Sequence, residues 1–123
     1  MRTRPFPTLR HAVEVALLAI SAFSLSAQEY RGRVQGSVTD STQAVVAGAV
    51  VTLANVQTGV TSARTTNESG RYLFDLVLPG TYTVTVQLQG FARFVQENVI
   101  LQSRSDVTVD AVLRPGDIRE AVT

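Results

Sequence analysis

The side chains that could carry chemistry in this chain are carboxylates, hydroxyls, arginines and a few aromatic rings. The 123 residues contain one histidine, His11, no cysteine and no lysine, so every basic residue is an arginine. His11 lies in a stretch that reads as a leader. The remainder therefore has no thiolate, no imidazole and no ε-amine, which removes cysteine nucleophiles, Ser-His-Asp arrangements, histidine or thiolate zinc sites and Schiff-base lysines. A paired-carboxylate hydrolase would have to draw on Asp40, Glu68, Asp75, Asp106 or Asp110. Asp106 and Asp110 fall on one wet face of a strand about 13 Å apart, whereas acid–base pairs need about 5 to 9.5 Å. The others stand at turns or strand ends, where acids are usual, and no loop has the acidic density of a calcium site. The expectation is a chain that is not an enzyme and holds neither cofactor nor metal.

Binding chemistry has more to work with. Sugar recognition needs exposed aromatic platforms with polar neighbours. Tyr30, Phe91 and Phe94 are the aromatic rings outside the core pattern, and there is no tryptophan. The competing reading has Phe91 plugging the end of the domain with Phe94 packed on it. The Thr-rich stretch Val60 to Thr66 reads as an edge strand, where Thr61 and Arg64 are candidate partner contacts.

These residues must be positioned by strands. Tyr82, Val84, Val86 and Leu88 alternate with polar residues, as do Val34, Gly36 and Val38, and the odd positions Ala49, Val51 and Leu53 of another stretch can face a core. Alternation is the period of a strand with one buried face. Tyr72, Phe74 and Leu76 repeat it, and Leu78-Pro79-Gly80 predicts a type II turn joining two strands of a hairpin. Phe94 to Leu101 needs a bulge near Gln96 to Asn98 to bring its apolar residues to one face. Val107, Val109, Ala111 and Leu113 form a last regular strand. Asn67-Glu68-Ser69-Gly70 fits the glycosylation pattern, and reads better as an Asn-initiated turn. Gly48, Gly59, Gly70, Gly80 and Gly90 recur about every ten residues, the spacing of an all-β sandwich or barrel of about seven strands.

Arg2, Arg4 and Arg10 precede an apolar run from Val15 to Leu25 followed by Ser26 and Ala27, the order of a signal peptide. The run is shorter than the roughly 20 residues a membrane-spanning helix takes. Without Arg2, Arg4, Arg10 and Glu14 the chain keeps eight basic and nine acidic residues, a formal charge of −1. Arg31 with Arg33 is the closest basic pair, so the charge gives no nucleic-acid footprint. The expected organisation is a signal peptide at 1–27, a β-sandwich at 28–114, and a linker or the start of a following domain at 115–123.

With these residues in view, the chain resembles the carboxypeptidase regulatory-like domain, a transthyretin-like (prealbumin-like) β-sandwich. The resemblance rests on Gly36-Ser37-Val38-Thr39-Asp40, Ala47-Gly48-Ala49-Val50-Val51, Asn55, Thr58-Gly59, Thr66 to Phe74, Leu78 to Val86, Gly90-Phe91 and the closing Val107 to Leu113 stretch. Ala47 and Asn67 depart from it, standing where a proline and an aspartate are frequent. The resemblance implies a seven-stranded Greek-key sandwich without catalytic activity. A signal peptide followed by this domain also looks like the start of a TonB-dependent, Oar-like outer-membrane receptor, in which it precedes the plug and barrel. The implied setting is export to the bacterial periplasm or outer membrane. The implied partners are those downstream domains or a periplasmic protein. The same sandwich class includes starch-binding-like domains, which leaves carbohydrate as the alternative ligand.

Overall fold

The computed structural model describes residues 30–116. The segment read as a signal peptide and residues 117–123 lie outside the described residues. Eight strands follow one another: β1 (Gly32–Asp40), β2 (Val50–Asn55), β3 (Thr61–Thr65), β4 (Arg71–Val77), β5 (Gly80–Gln87), β6 (Phe94–Leu101), β7 (Asp106–Thr108) and β8 (Ala111–Leu113). They form two sheets. Sheet I has β1 at its centre, with β4 antiparallel on one side and β7 and β8 parallel on the other. Sheet II runs β3-β2-β5-β6, antiparallel throughout.

Alternation places the core where the apolar pattern points. Val34 and Val38 of β1, Val51 of β2, and Val84 and Val86 of β5 are fully buried, and Leu53, Tyr72, Phe74, Tyr82, Val99, Leu101, Ala111 and Leu113 complete the layer between the sheets. All eight strand segments contribute to it or border it, which is the expected all-β sandwich. The β6 bulge is present: Tyr82 pairs with Val99 but Val84 pairs with Gln96, so β6 carries one extra residue, and Asn98 takes a φ of 58°. That shift puts Phe94, Val99 and Leu101 on the core side, but Val95 and Ile100 stay exposed, so the bulge gathers only part of the apolar residues to one face. The Asn67 turn is also present. Its side-chain oxygen accepts the N–H groups of Ser69 and Arg71, both at 2.9 Å, and Gly70 follows at a φ of 73°. The Gly70 carbonyl then accepts the Val38 N–H at 2.7 Å, so a residue with φ > 0 and no Cβ is required here.

Three expectations are corrected. The stretch Gly70 to Val86 is not a hairpin: β4 pairs with β1 in sheet I, and β5 pairs with β2 and β6 in sheet II. Leu78-Pro79-Gly80 is therefore a crossing between the sheets, and Gly80 is not among the residues with positive φ. Leu76 is not a core residue. Gly32 pairs with Val77 while Val34 pairs with Phe74, which leaves an extra residue in β4; Leu76 absorbs it at a φ of 54° and is 60% exposed. A bulge shifts the strand's parity, so the partly buried Val77 takes over as the side chain packed on the core. Finally, the last strand is broken. β7 follows β1 through Gln35↔Thr108, β8 resumes at Val38↔Ala111, and Val109-Asp110 lies between them.

Candidate functional site

β3 and β4 are each an outer strand of their sheet. Asn55 N–H donates to the Val60 carbonyl and Thr66 N–H to the Ala49 carbonyl, each at 2.9 Å, and these bonds fix the phase of β3. Ser62 and Arg64 turn their backbone groups toward Leu53 and Val51 of β2, so Thr61, Ala63 and Thr65 turn theirs outward. All five residues of β3 are exposed. This is an edge strand whose outer row has no strand partner, as its composition predicts.

Arg64 stands directly opposite the fully buried Val51, so its side chain leaves the inner face of sheet II. Its guanidinium carbon lies 5.2 Å from the centroid of the Phe74 ring, and Nη1 donates to the Ala63 carbonyl at 2.8 Å. A cation over an aromatic face is attracted by the ring quadrupole. An inward-pointing charge on an edge strand also discourages indiscriminate strand pairing. Arg64 thus covers the core and blunts the edge.

Beside it a cavity of about 290 Å³ opens between β3 and the β4–β5 crossing. Buried Leu53, Phe74 and Tyr82 line its inner side, and exposed Val60, Leu76 and Leu78 its mouth, with Arg64 and Asp75 also contributing. The Tyr82 hydroxyl donates to the Leu78 carbonyl at 2.6 Å and holds the crossing in place. A second, more polar groove of about 550 Å³ is lined by Gln35, Ser37, Arg71, Leu73 and Asp110 together with Arg64.

Most of the candidate acids have structural partners. Arg33 lies 3.4 Å from Asp106 and 4.0 Å from Asp75. Asp110 accepts both the N–H and the hydroxyl of Ser37, at 2.9 and 3.2 Å. Asp40 accepts the Thr42 hydroxyl at 2.6 Å, the Thr42 N–H at 2.8 Å and the Ala44 N–H at 3.1 Å, closing its own turn. The bonds from Thr42 hold the Asp40 carboxyl below its ordinary value. Among the described residues no group of three or more His, Cys, Asp or Glu side chains is placed to hold a metal ion. No helix among them is long and apolar enough to cross a membrane, which says nothing of β-barrels.

The residues singled out from the sequence do not converge. Tyr30 precedes the sandwich, which begins at Arg31, and is 42% exposed. Phe91 and Phe94 are half-buried and packed against the core. They line different surface hollows, Phe91 beside Gln87 and Gln89, Phe94 beside Val112 and Arg114. Thr61 and Arg64 share β3 but face opposite sides of sheet II. Register instead relates Arg64 to Phe94: Arg64, Val51, Val86 and Phe94 make one row across the inner face, with these two at its ends. The cavity beside Arg64 escaped sequence reading, because a Leu76 that reads as core forms part of its mouth.

Residues 33–114 match the family model described as the carboxypeptidase regulatory-like domain. No curated protein matches the chain. Among solved structures, a chain of a cohesin–X-dockerin complex from Acetivibrio cellulolyticus is 24% identical, with 70% of this chain and 59% of that one covered and a TM-score of 0.54. A Bacteroides uniformis protein described as carbohydrate-binding is 21% identical, covering 70% and 42%, with a TM-score of 0.57. The dioxygenase domain of a carbohydrate-binding fusion protein from Streptomyces sp. SirexAA-E is 10% identical, covering 72% and 82%, with a TM-score of 0.56. At these identities the structures share the sandwich fold and nothing finer.

Proposed function

The chain belongs to the carboxypeptidase regulatory-like domain family, and we propose that it works as a non-catalytic interaction and spacer module of an exported protein. The observation that carries this reading is the fully exposed edge strand β3, whose outward backbone groups at Thr61 and Thr65 can accept a neighbouring strand, while the Arg64 bond to the Ala63 carbonyl between them restricts which partner fits. The family is of a regulatory, non-catalytic kind, although dioxygenases occur among the structural neighbours. The acids engaged by Arg33, Ser37 and Thr42 support the same reading, since they serve the scaffold. In its finer form, the proposal makes this the N-terminal periplasmic domain of a TonB-dependent, Oar-like outer-membrane receptor, whose plug and barrel are its neighbours.

A photo-crosslinker at Thr61 of the protein in its native cell tests the module reading. Adducts with a downstream domain or a periplasmic protein are expected, and the absence of any adduct from Thr61 or Arg64 counts against it. Sequencing the locus tests the receptor reading, which fails if no barrel is encoded downstream. Carbohydrate binding is the second reading. It is favoured by the half-buried Phe91 beside the amides of Gln87 and Gln89, an aromatic ring with polar neighbours. Flat titrations against a panel of polysaccharides, or binding unchanged in Phe91→Ala and Phe94→Ala, would remove it.

A further inference from the structure

We infer that the cavity between β3 and the β4–β5 crossing is a binding site for a small amphipathic organic anion, a compact apolar body ending in a carboxylate. Its volume, about 290 Å³, stands at the lower limit of ligand pockets and suits a body the size of one aromatic ring with a short chain. The apolar half of the match comes from Leu53, Phe74 and Tyr82 inside and from Val60, Leu76 and Leu78 at the mouth. The three mouth residues are 65%, 60% and 51% exposed, and two chain segments distant in sequence bring them together. Leu76 is held there at a φ of 54°, where a non-glycine residue is uncommon. An exposed leucine in that conformation gains nothing from the core, and a bulge that aims a side chain at a pocket mouth is a recurrent use of such strain.

The anionic half of the match is Arg64. Of the five N–H donors of a guanidinium, the one hydrogen bond found for it is that from Nη1 to the Ala63 carbonyl. No carboxylate among the described residues lies within ion-pair distance of it; the ion pairs found are those of Arg33. Asp75 also borders the cavity; its carboxylate accepts the Leu76 N–H at 2.9 Å and lies 4.0 Å from Arg33, beyond ion-pair distance of Arg64, and its exposed charge is screened by solvent, so it weakens the preference for an anion without cancelling it. A guanidinium with free donors above an apolar cavity selects a carboxylate joined to an apolar body over either part alone.

Calorimetric titration of the full chain with 4-phenylbutyrate and with 4-phenyl-1-butanol, which differ in the carboxylate, tests the site. Saturable one-to-one binding of the acid is expected, with a Kd on the order of 0.1 to 1 mM for a ligand of this size. The alcohol should bind about five- to tenfold more weakly, and Arg64→Gln should abolish that preference while Arg64→Lys keeps part of it. Val60→Trp, at an exposed mouth position, should block both ligands without lowering the melting temperature. Equal binding of acid and alcohol by the unmodified chain, no saturable binding at 10 mM ligand (about ten times the weakest expected Kd), or binding unchanged in Val60→Trp would each overturn the inference.

Discussion

The phenolic hydroxyl of Tyr72 donates to the carbonyl oxygen of Val109 at 2.6 Å, reaching across the central strand of sheet I. Between them stands Gly36, which pairs with Tyr72; a Cβ there would lie 1.9 Å from the Val109 oxygen and 2.9 Å from the Tyr72 oxygen. The Val109 carbonyl falls in the break between β7 and β8, so the tyrosine supplies the donor that an unbroken strand would find in its neighbour. Tyr72→Phe should cost about 1 to 3 kcal/mol in urea unfolding, because a buried carbonyl loses its partner. Gly36→Ala should cost more, since the clash is with backbone.

The same pair predicts a pH dependence. Burial first, and the Asp110 charge second, push the Tyr72 phenol above its ordinary value of 10.0. A raised value means that above pH 10 the folded state holds a proton the unfolded state has lost. The contribution of Tyr72 should be complete below about pH 9 and fall as pH rises past 10. Tyr72→Phe should flatten that part of the alkaline limb in pH-dependent denaturant melts.

Asp110 repairs the other half of the break. The Ser37 N–H has the Asp110 carboxylate as its acceptor at 2.9 Å, where β7 and β8 leave no paired residue. Asp110→Ala should lower stability by about 1 to 2 kcal/mol, and Asp110→Asn, which keeps an acceptor oxygen, by less. Thermal melts at neutral pH would rank the two.

Thr66 is a buried hydroxyl that donates to the Val46 carbonyl at 2.8 Å and accepts the Ala49 N–H at 2.9 Å. It ties the segment before β2 to the end of β3. Thr66→Val keeps the shape but strands a donor and an acceptor, and should cost about 2 to 4 kcal/mol in urea unfolding. Thr66→Ser should recover most of that loss.

Leu76 gives a prediction of opposite sign. Its left-handed backbone disfavours an L side chain by about 1 to 2 kcal/mol, and its side chain is mostly exposed. Leu76→Gly should therefore be neutral or stabilising by up to about 1 kcal/mol, despite the backbone entropy of glycine. Leu76→Ile should destabilise, because a β-branched residue fits φ > 0 worst. Chemical denaturation of both variants separates relief of strain from loss of packing.

Local pattern determined much of this protein. The alternation in Val34 to Val38, Ala49 to Leu53 and Tyr82 to Val86 names the buried residues, because which side of a strand is wetted depends on residues two apart. Turn chemistry at Asn67 and the polarity of Thr61 to Thr65 likewise identify the turn and the edge. The irregular apolar spacing of Phe94 to Leu101 even requires its bulge. Tertiary structure alone decided that Tyr72 and Tyr82 belong to different sheets, that β1 runs parallel to β7 and β8, and that Leu76 points to solvent. Those outcomes depend on pairing between segments far apart in sequence, and a crossing between sheets can use the same Pro-Gly turn as a hairpin. The Arg64 cavity is of that kind: it exists because the two sheets bring β3 and the β4–β5 crossing face to face, and no local pattern carries that distance.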